Sequence, residues 1–87
     1  MDVTVFGKQG CATCVTTKNK ITQYIQNKKL QGKIIFTYCD MDTIDGLSEG
    51  AMNDVMSVPT TIFKKDGKVV ARWDGNIPET EEYEKLI

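Results

Sequence analysis

The chain has 87 residues, 40% of them hydrophobic, with 11 basic and 12 acidic side chains. This size and composition predict one small globular domain spanning residues 1–87, and the net charge of −1 favours neither nucleic acid nor an anionic membrane as a partner. Because the chain has no histidine, Cys–His nucleophile pairs, histidine zinc sites and imidazole acid–base catalysis are all excluded.

The N-terminal residues predict a strand and carry no targeting signal. Residues 1–4 lack the basic segment and the apolar run of about 7 to 15 residues that mark a signal peptide, so we expect a cytoplasmic protein without a membrane span. Residues 2–6 predict a short strand with Val3 and Val5 on one face. Three cysteines are an odd number, which argues against a secreted disulfide framework and leaves Cys39 unpaired.

A C-x-x-C motif, formed by Cys11 and Cys14, lies between this strand and a long helical pattern. At the start of a helix this spacing brings the two Cα atoms to about 5 to 6 Å, a distance that a disulfide bridges without strain. A C-x-x-C beside a βαβ pattern is typical of a redox site. We therefore expect these two thiols to form and break a disulfide reversibly.

The two cysteines are predicted to differ in environment. At 100° per residue, Cys14 falls within about 20° of Ile21 and Ile25 on the apolar stripe of the helix, so it should be buried. Cys11 precedes the first full turn, where free N–H groups and the helix dipole stabilise a thiolate, and Lys8 adds a nearby cation. This asymmetry makes Cys11 the nucleophile and Cys14 the resolving thiol.

The first helix is predicted over residues 12–30, with Gly32 placed to end it. Residues 33–39 predict a strand covered on both faces, because its centre is almost continuously apolar. Together these elements form a βαβ unit with two parallel strands and a right-handed crossover. Tyr38 and Trp73 are interpreted as packing residues that could alternatively line a groove, and Cys39 as a small core residue.

A short second helix is predicted from apolar residues at helical spacing: Ile44, Leu47, Ala51 and Val55. Gly46 and Gly50 are expected to cost it about 1 kcal/mol each relative to alanine, so it should depend on packing. The acidic residues around it fit turn and capping roles better than a calcium loop, whose remaining ligand positions are missing; these residues are Asp40, Asp42 and Asp45.

A β-hairpin follows Val58-Pro59. Strands are predicted at residues 60–63 and 68–73, and the turn between them contains Asp66-Gly67. A short C-terminal helix comes next, with Pro78 at its first position. Its inward side is predicted to carry Tyr83, Leu86 and Ile87.

This βαβ, α, ββ, α order, with C-x-x-C at the first helix and Val58-Pro59 before the third strand, resembles the minimal thioredoxin fold, and its size resembles glutaredoxins and glutaredoxin-like small thioredoxins. The resemblance implies an α/β fold with a central four-stranded mixed sheet and flanking helices. It also implies that Cys11 and Cys14 are catalytic. In this resemblance the substrate-binding positions are the basic Lys8, the pairing edge Val58, the cis-proline Pro59 and the glycine after the hairpin, Gly75.

Three departures from the resembled families are visible in the motifs. Cys-Ala-Thr-Cys matches neither the Cys-Gly-Pro-Cys of thioredoxins nor the Cys-Pro-Tyr-Cys of many glutaredoxins. Val5 stands where thioredoxins bury an aspartate, so proton transfer at Cys14 should use water, Lys8 or a backbone-stabilised route. The segment 74–76 only approximates the glutathione-binding residues of glutaredoxins.

The favoured function is a thiol–disulfide oxidoreductase that reduces protein disulfides through a mixed disulfide at Cys11. It would act as a monomer, with an upstream reductase or glutathione as reductant and with no cofactor or metal. One alternative is an electron donor dedicated to a single client such as ribonucleotide reductase. Others are a glutathione-binding or iron–sulfur module, for which a second chain, glutathione or Cys39 would supply the missing ligands, and a docking domain with a static disulfide.

Overall fold

The computed structural model describes all residues, 1–87, and shows a mixed four-stranded sheet with helices on both faces. The strands lie in the order β2-β1-β3-β4, with β1 parallel to β2 and antiparallel to β3, and β3 antiparallel to β4. This topology confirms the predicted α/β fold and its βαβ, α, ββ, α order. The elements are β1 Asp2–Gly7, α1 Ala12–Asn27, β2 Ile35–Asp40, α2 Ile44–Met52, β3 Thr60–Lys65, β4 Lys68–Asp74 and α3 Thr80–Glu84.

The sheet separates two apolar clusters. Val3 and Val5 of β1 share one cluster with residues of α1 and α3, as their common face predicted. Phe6 belongs to the cluster on the opposite face, on the side of α2. None of the three helices is long and apolar enough to span a membrane. The C-x-x-C motif therefore begins a helix that packs on the larger of the two clusters. The members of that cluster are Val3, Val5, Ile21, Ile25, Ile34, Phe63 and Tyr83.

The second strand differs from its prediction, which was wrong in expecting burial on both faces. β2 is an edge strand that pairs only with β1, and the Ile35 side chain is 68% exposed. Ile34, just before the strand, is the residue that enters the core. A continuous apolar run does not distinguish an edge from a central strand, because that depends on where the third strand pairs.

Helix α1 ends earlier than predicted, at Asn27 rather than residue 30, and Gly32 does not end it. Lys29 takes the left-handed conformation with φ of 55°. The N–H groups of Lys29 and Leu30 donate to the carbonyls of Gln26 and Ile25 at 3.1 and 2.9 Å, which is the Schellman arrangement of a helix C-terminus. A lysine therefore occupies the position that glycine usually holds.

Helix α2 presents the opposite face from the one predicted. Ile44 is 84% exposed and Leu47 is also exposed, whereas Gly46 and Gly50 are buried. A Cβ atom at Gly46 would overlap the carbonyl oxygen of Asp40, and one at Gly50 would lie 2.5 Å from the sulfur of Met41. The glycines allow the helix to lie directly against the end of β2, and Val55 falls beyond the helix.

The hairpin is confirmed, with positive φ at both Asp66 and Gly67, as a tight turn of the type common in hairpins requires. The C-terminal helix is shorter than expected and begins at Thr80, so Pro78 is buried ahead of it rather than at its first position. Tyr83 points inward as predicted. Leu86 packs partly against the core, whereas the prediction for Ile87 was wrong, since it is exposed.

Candidate active site

Cys11 and Cys14 form a disulfide at the N-terminus of α1, with their Cα atoms 5.2 Å apart, inside the range expected from the spacing. Cys11 is the N-cap residue, with an extended backbone, and Cys14 lies in the first turn. The Cys14 backbone N–H points at the Cys11 sulfur, 3.1 Å away. A thiolate at Cys11 would therefore accept this N–H, which lacks an intrahelical partner.

The burial of the two cysteines differs as predicted. The Cys14 side chain is 0% exposed and lies on the same stripe of α1 as Ile21 and Ile25, whereas Cys11 is only partly buried. A reagent in solution can therefore reach the Cys11 sulfur and not the Cys14 sulfur. This difference suits an exposed nucleophile followed by a protected resolving thiol.

The loop before Cys11 is held by the turn that follows β2. The Gln9 N–H donates to the Asp42 carboxylate at 2.7 Å, and the Met41 N–H donates to the Gly7 carbonyl at 2.8 Å. Gly10 has φ of 76°, a conformation that favours glycine just before the nucleophile. The Asp42 contact confirms that the acidic turn serves a structural role.

The loop before β3 is built around a cis Val58-Pro59 peptide bond, as the resemblance implied. The Thr60 hydroxyl donates to the Ser57 carbonyl at 2.7 Å, which holds this loop against the start of β3. From the other side, the Gly75 N–H donates to the Pro59 carbonyl at 2.8 Å. Pro59 and Gly75 are therefore neighbours, although they lie far apart in the sequence.

Two small clefts flank the cysteine loop, and Lys8 lines both. One, of about 150 Å³, brings Lys8 together with Val58, Met56 and Ser57. The other, of about 210 Å³, brings Lys8 together with Tyr38 and further polar residues. Met56 was missed by sequence reasoning although it is 92% exposed, because a single apolar residue in a loop carries no periodic signal.

The comparisons with known proteins agree with this site. Residues 1–87 match the thioredoxin domain family. The chain belongs to this family. It is a thiol–disulfide oxidoreductase whose redox-active pair is Cys11 and Cys14.

The solved structures that resemble this fold include several thioredoxins. Thioredoxin from Fasciola hepatica is 29% identical, with 98% of this chain and 76% of that chain covered and a TM-score of 0.75. Thioredoxin 1 from Thermosipho africanus is 23% identical, with 99% and 90% covered and a TM-score of 0.78. Oxidised mitochondrial thioredoxin 3 from Saccharomyces cerevisiae is 23% identical, with 99% and 77% covered and a TM-score of 0.76. No curated protein sequence matches the chain.

This member of the thioredoxin family has no carboxylate at the Val5 position. Val5 is fully buried and pairs with Tyr38 on β2 and Thr61 on β3. The Thr61 hydroxyl is buried without a hydrogen-bond partner. The side chains that flank Val5 on the two neighbouring strands therefore carry hydroxyls.

The structure gives different roles to Trp73 and Tyr38, for which the sequence left both core packing and a groove position open. Trp73 packs edge-on against Phe63, with ring centroids 5.4 Å apart, and its indole N–H donates to the Glu82 carboxylate at 2.9 Å. It is a packing residue that ties β4 to α3. Tyr38 instead lines the cleft beside Lys8.

Cys39 lies on the opposite face of the sheet from Cys14, where it packs against Phe6, Met41 and Ile62. Burial, followed by the negative charge of Glu49, raises the pKa of the Cys39 thiol above its ordinary value. A thiol held in its protonated form is a poor nucleophile and a poor metal ligand. Cys39 therefore lies across the sheet from the redox pair and is less reactive than an exposed thiolate. The structure contains no group of three or more His, Cys, Asp or Glu side chains placed to hold a metal ion.

Proposed function

We propose that the protein reduces disulfide bonds of other proteins, with Cys11 attacking and Cys14 resolving. The Cys11 thiolate attacks one sulfur of the client disulfide, which forms a mixed disulfide and releases the other client sulfur as a thiolate. Cys14 then gives up its proton to water and attacks Cys11, which closes the internal disulfide and releases the second client thiolate. The unequal burial of the two cysteines is the observation that carries this assignment.

The loop of Val58 and Pro59 supports a client-binding role, because the cleft that Val58 lines extends to Lys8, just before the redox pair. Pro59 has no N–H, and its carbonyl already accepts the Gly75 N–H. An extended client segment would therefore pair with the backbone of Val58, as an added strand does at a sheet edge. The cleft formed by Val58, Met56 and the Lys8 side chain lies next to this edge and would receive a client side chain.

We infer that the oxidised protein is returned to the dithiol by an upstream reductase or by glutathione, without a metal or another cofactor. The position of Cys39 across the sheet supports this reading over an iron–sulfur site within one chain. A cytoplasmic location and a monomeric state complete the proposal, and both rest on the sequence. A donor dedicated to one client such as ribonucleotide reductase would use the same chemistry at Cys11 and Cys14.

Single cysteine variants test the roles of the two thiols. Cys11→Ser should abolish reduction of a protein disulfide such as that of insulin, because the remaining thiols are the buried Cys14 and Cys39, whose raised pKa keeps it protonated. Cys14→Ser should accumulate a mixed disulfide with the client, visible as a mass increase that a reducing agent reverses. Cys39→Ser is the matched control and should retain the activity of the original protein.

Two results would contradict these roles. A Cys11→Ser protein that still reduces the client at the original rate would remove Cys11 as the nucleophile. A Cys14→Ser protein that turns over without trapping any client would remove Cys14 as the resolving thiol. Clients captured on a Cys14→Ser column from a cell extract would also show whether one partner dominates, as expected for a dedicated donor, or many.

A further inference from the structure

The Tyr38 hydroxyl and the Cys14 side chain both lie close to Gly7, at the end of β1. A Cβ atom built on Gly7 would overlap the Tyr38 hydroxyl oxygen and lie 2.9 Å from the Cβ atom of Cys14. Both groups therefore occupy the space that a side chain at residue 7 would fill. Glycine at this position lets a phenol from β2 approach a cysteine from α1 across β1.

β1 offers no polar side chain at the residue that pairs with Tyr38. Val5, the register partner of Tyr38 on β1, is apolar, and so the Cys14 thiol has no carboxylate beneath it. In this disulfide-bonded state the Tyr38 hydroxyl makes no hydrogen bond, either with the Cys14 sulfur or with another group, so its proton is free to be donated once Cys14 becomes a thiolate. Its side chain is only partly buried, which gives it access to the cleft that it lines with Lys8.

We propose that the Tyr38 hydroxyl donates a hydrogen bond to the Cys14 thiolate and so assists the step in which Cys14 resolves the mixed disulfide. The inference deepens the proposed function, on which it rests. Once Cys11 is joined to a client sulfur, Cys14 is a free thiol that must lose its proton to water before it attacks. A neutral phenol has only a donor to offer a thiolate, so it stabilises the attacking form without taking the proton itself.

The same contact would act when the internal disulfide is reduced. The thiolate of a dithiol reductant attacks the Cys11 sulfur, the bond between Cys11 and Cys14 breaks, and Cys14 leaves as a thiolate that later takes a proton from water. A donor beside the leaving sulfur stabilises it, and a thiol with a lower pKa leaves faster. Tyr38 would therefore assist Cys14 in both directions of the cycle.

Burial, with help from two nearby carboxylates, keeps the hydroxyl in its donor form. Burial is the largest cause that raises the pKa of Tyr38 above its ordinary value, followed by the negative charges of Asp40 and Asp42. On the other side, the Lys18 ammonium from α1 lies 5.3 Å from the centre of the Tyr38 ring, and Lys8 lines the same cleft. The phenol stays protonated at neutral pH, so the pH dependence of resolution should report the Cys14 thiol.

Tyr38→Phe tests the contact, because it removes one oxygen and keeps the ring beneath Lys18. Tyr24→Phe is the matched control, since Tyr24 packs edge-on against Tyr83, with ring centroids 5.3 Å apart, in the cluster between α1 and α3. Both changes should be made in a Cys39→Ser background, so that the only reactive thiols are Cys11 and Cys14. The probe is Ellman's reagent, which releases one thionitrobenzoate when Cys11 attacks it and a second when Cys14 resolves the product.

The two releases separate the two steps. In Tyr38→Phe the first release should keep its rate, while the midpoint of the pH profile of the second should rise by about one unit or more, as expected for loss of a hydrogen bond to a charged group. Because a thiolate with a higher pKa is also more nucleophilic, the second release at pH 7 should slow by only about threefold to tenfold. Tyr24→Phe should change neither release.

Three results would overturn the inference. One is a second release in Tyr38→Phe with the original rate and pH profile. Another is an equal slowing of both releases, which would indicate a disturbed site rather than a lost donor. The third is the same shift in Tyr24→Phe. A failure of the proposed function would look different, because the first release would then be absent from the protein with Tyr38 intact.

Discussion

Replacing Gly46 with alanine separates helix propensity from tertiary packing. Propensity alone predicts that Gly46→Ala stabilises α2 by about 1 kcal/mol. In the structure, however, the added Cβ would overlap the Asp40 carbonyl oxygen, lie 2.5 Å from the Asp40 carbonyl carbon and lie 3.0 Å from the Thr43 hydroxyl oxygen. The two Asp40 atoms are backbone at the end of β2, and the Thr43 hydroxyl is held by its hydrogen bond to the Asp40 carbonyl, so none of them can rotate away as the end of a flexible side chain can.

The expected net effect of Gly46→Ala is destabilisation. Inserting an extra methyl group into a packed site costs about 1 to 3 kcal/mol, and contact with backbone places this site in the upper half of that range. After subtracting the propensity gain, the free energy of unfolding should fall by about 1 to 2 kcal/mol, and Tm by roughly 5 to 15 °C for a chain of this size. Urea unfolding of the oxidised protein, with the disulfide intact in every variant, measures the change directly.

Two other glycines provide the controls. A Cβ atom on Gly32 would have no neighbouring atom within 4 Å, and Gly32 does not have positive φ, so Gly32→Ala should be neutral or slightly stabilising. A Cβ at Gly50 would meet the flexible end of Met41, so Gly50→Ala should cost less than Gly46→Ala. If Gly46→Ala proves as stable as the original protein or more so, the close approach of α2 to β2 does not exist as described.

Two further predictions concern the core and the pH dependence of stability. Thr61→Val should raise the free energy of unfolding by about 1 kcal/mol, because it replaces a buried hydroxyl that has no partner with a methyl group; a lower urea midpoint would show that the hydroxyl is hydrogen-bonded after all. The hydrogen bond from the Trp73 indole, followed by that from the Glu79 backbone, lowers the pKa of Glu82. The contribution of Glu82 to stability is therefore present above its ordinary pKa of 4.5 and is lost as pH falls through the lower pKa of the folded state. Glu82→Gln should flatten the loss of stability below pH 4.5, and an acid unfolding curve identical to that of the original protein would contradict this coupling.

Local chemistry in the sequence was enough to identify the redox pair. The spacing of Cys11 and Cys14 and the apolar stripe through Ile21 and Ile25 depend only on helical geometry, so they predicted which sulfur would be buried. The turn at Asp66-Gly67 was equally predictable, because few residues tolerate positive φ. The resemblance then implied the cis bond before Pro59, which residue preferences alone do not favour.

Contacts between distant segments decided the rest. The apolar runs of β2 and α2 indicate strand and helix, but their exposed faces follow from strand order and from the approach of α2 to Asp40, which no local pattern encodes. The meeting of Tyr38 with Cys14 depends on parallel pairing of β1 with β2 and on a missing side chain at Gly7. The sequence by itself thus determined the reactive pair and the order of the elements, whereas only the tertiary structure decided which groups surround Cys14, because that depends on packing between segments distant in the chain.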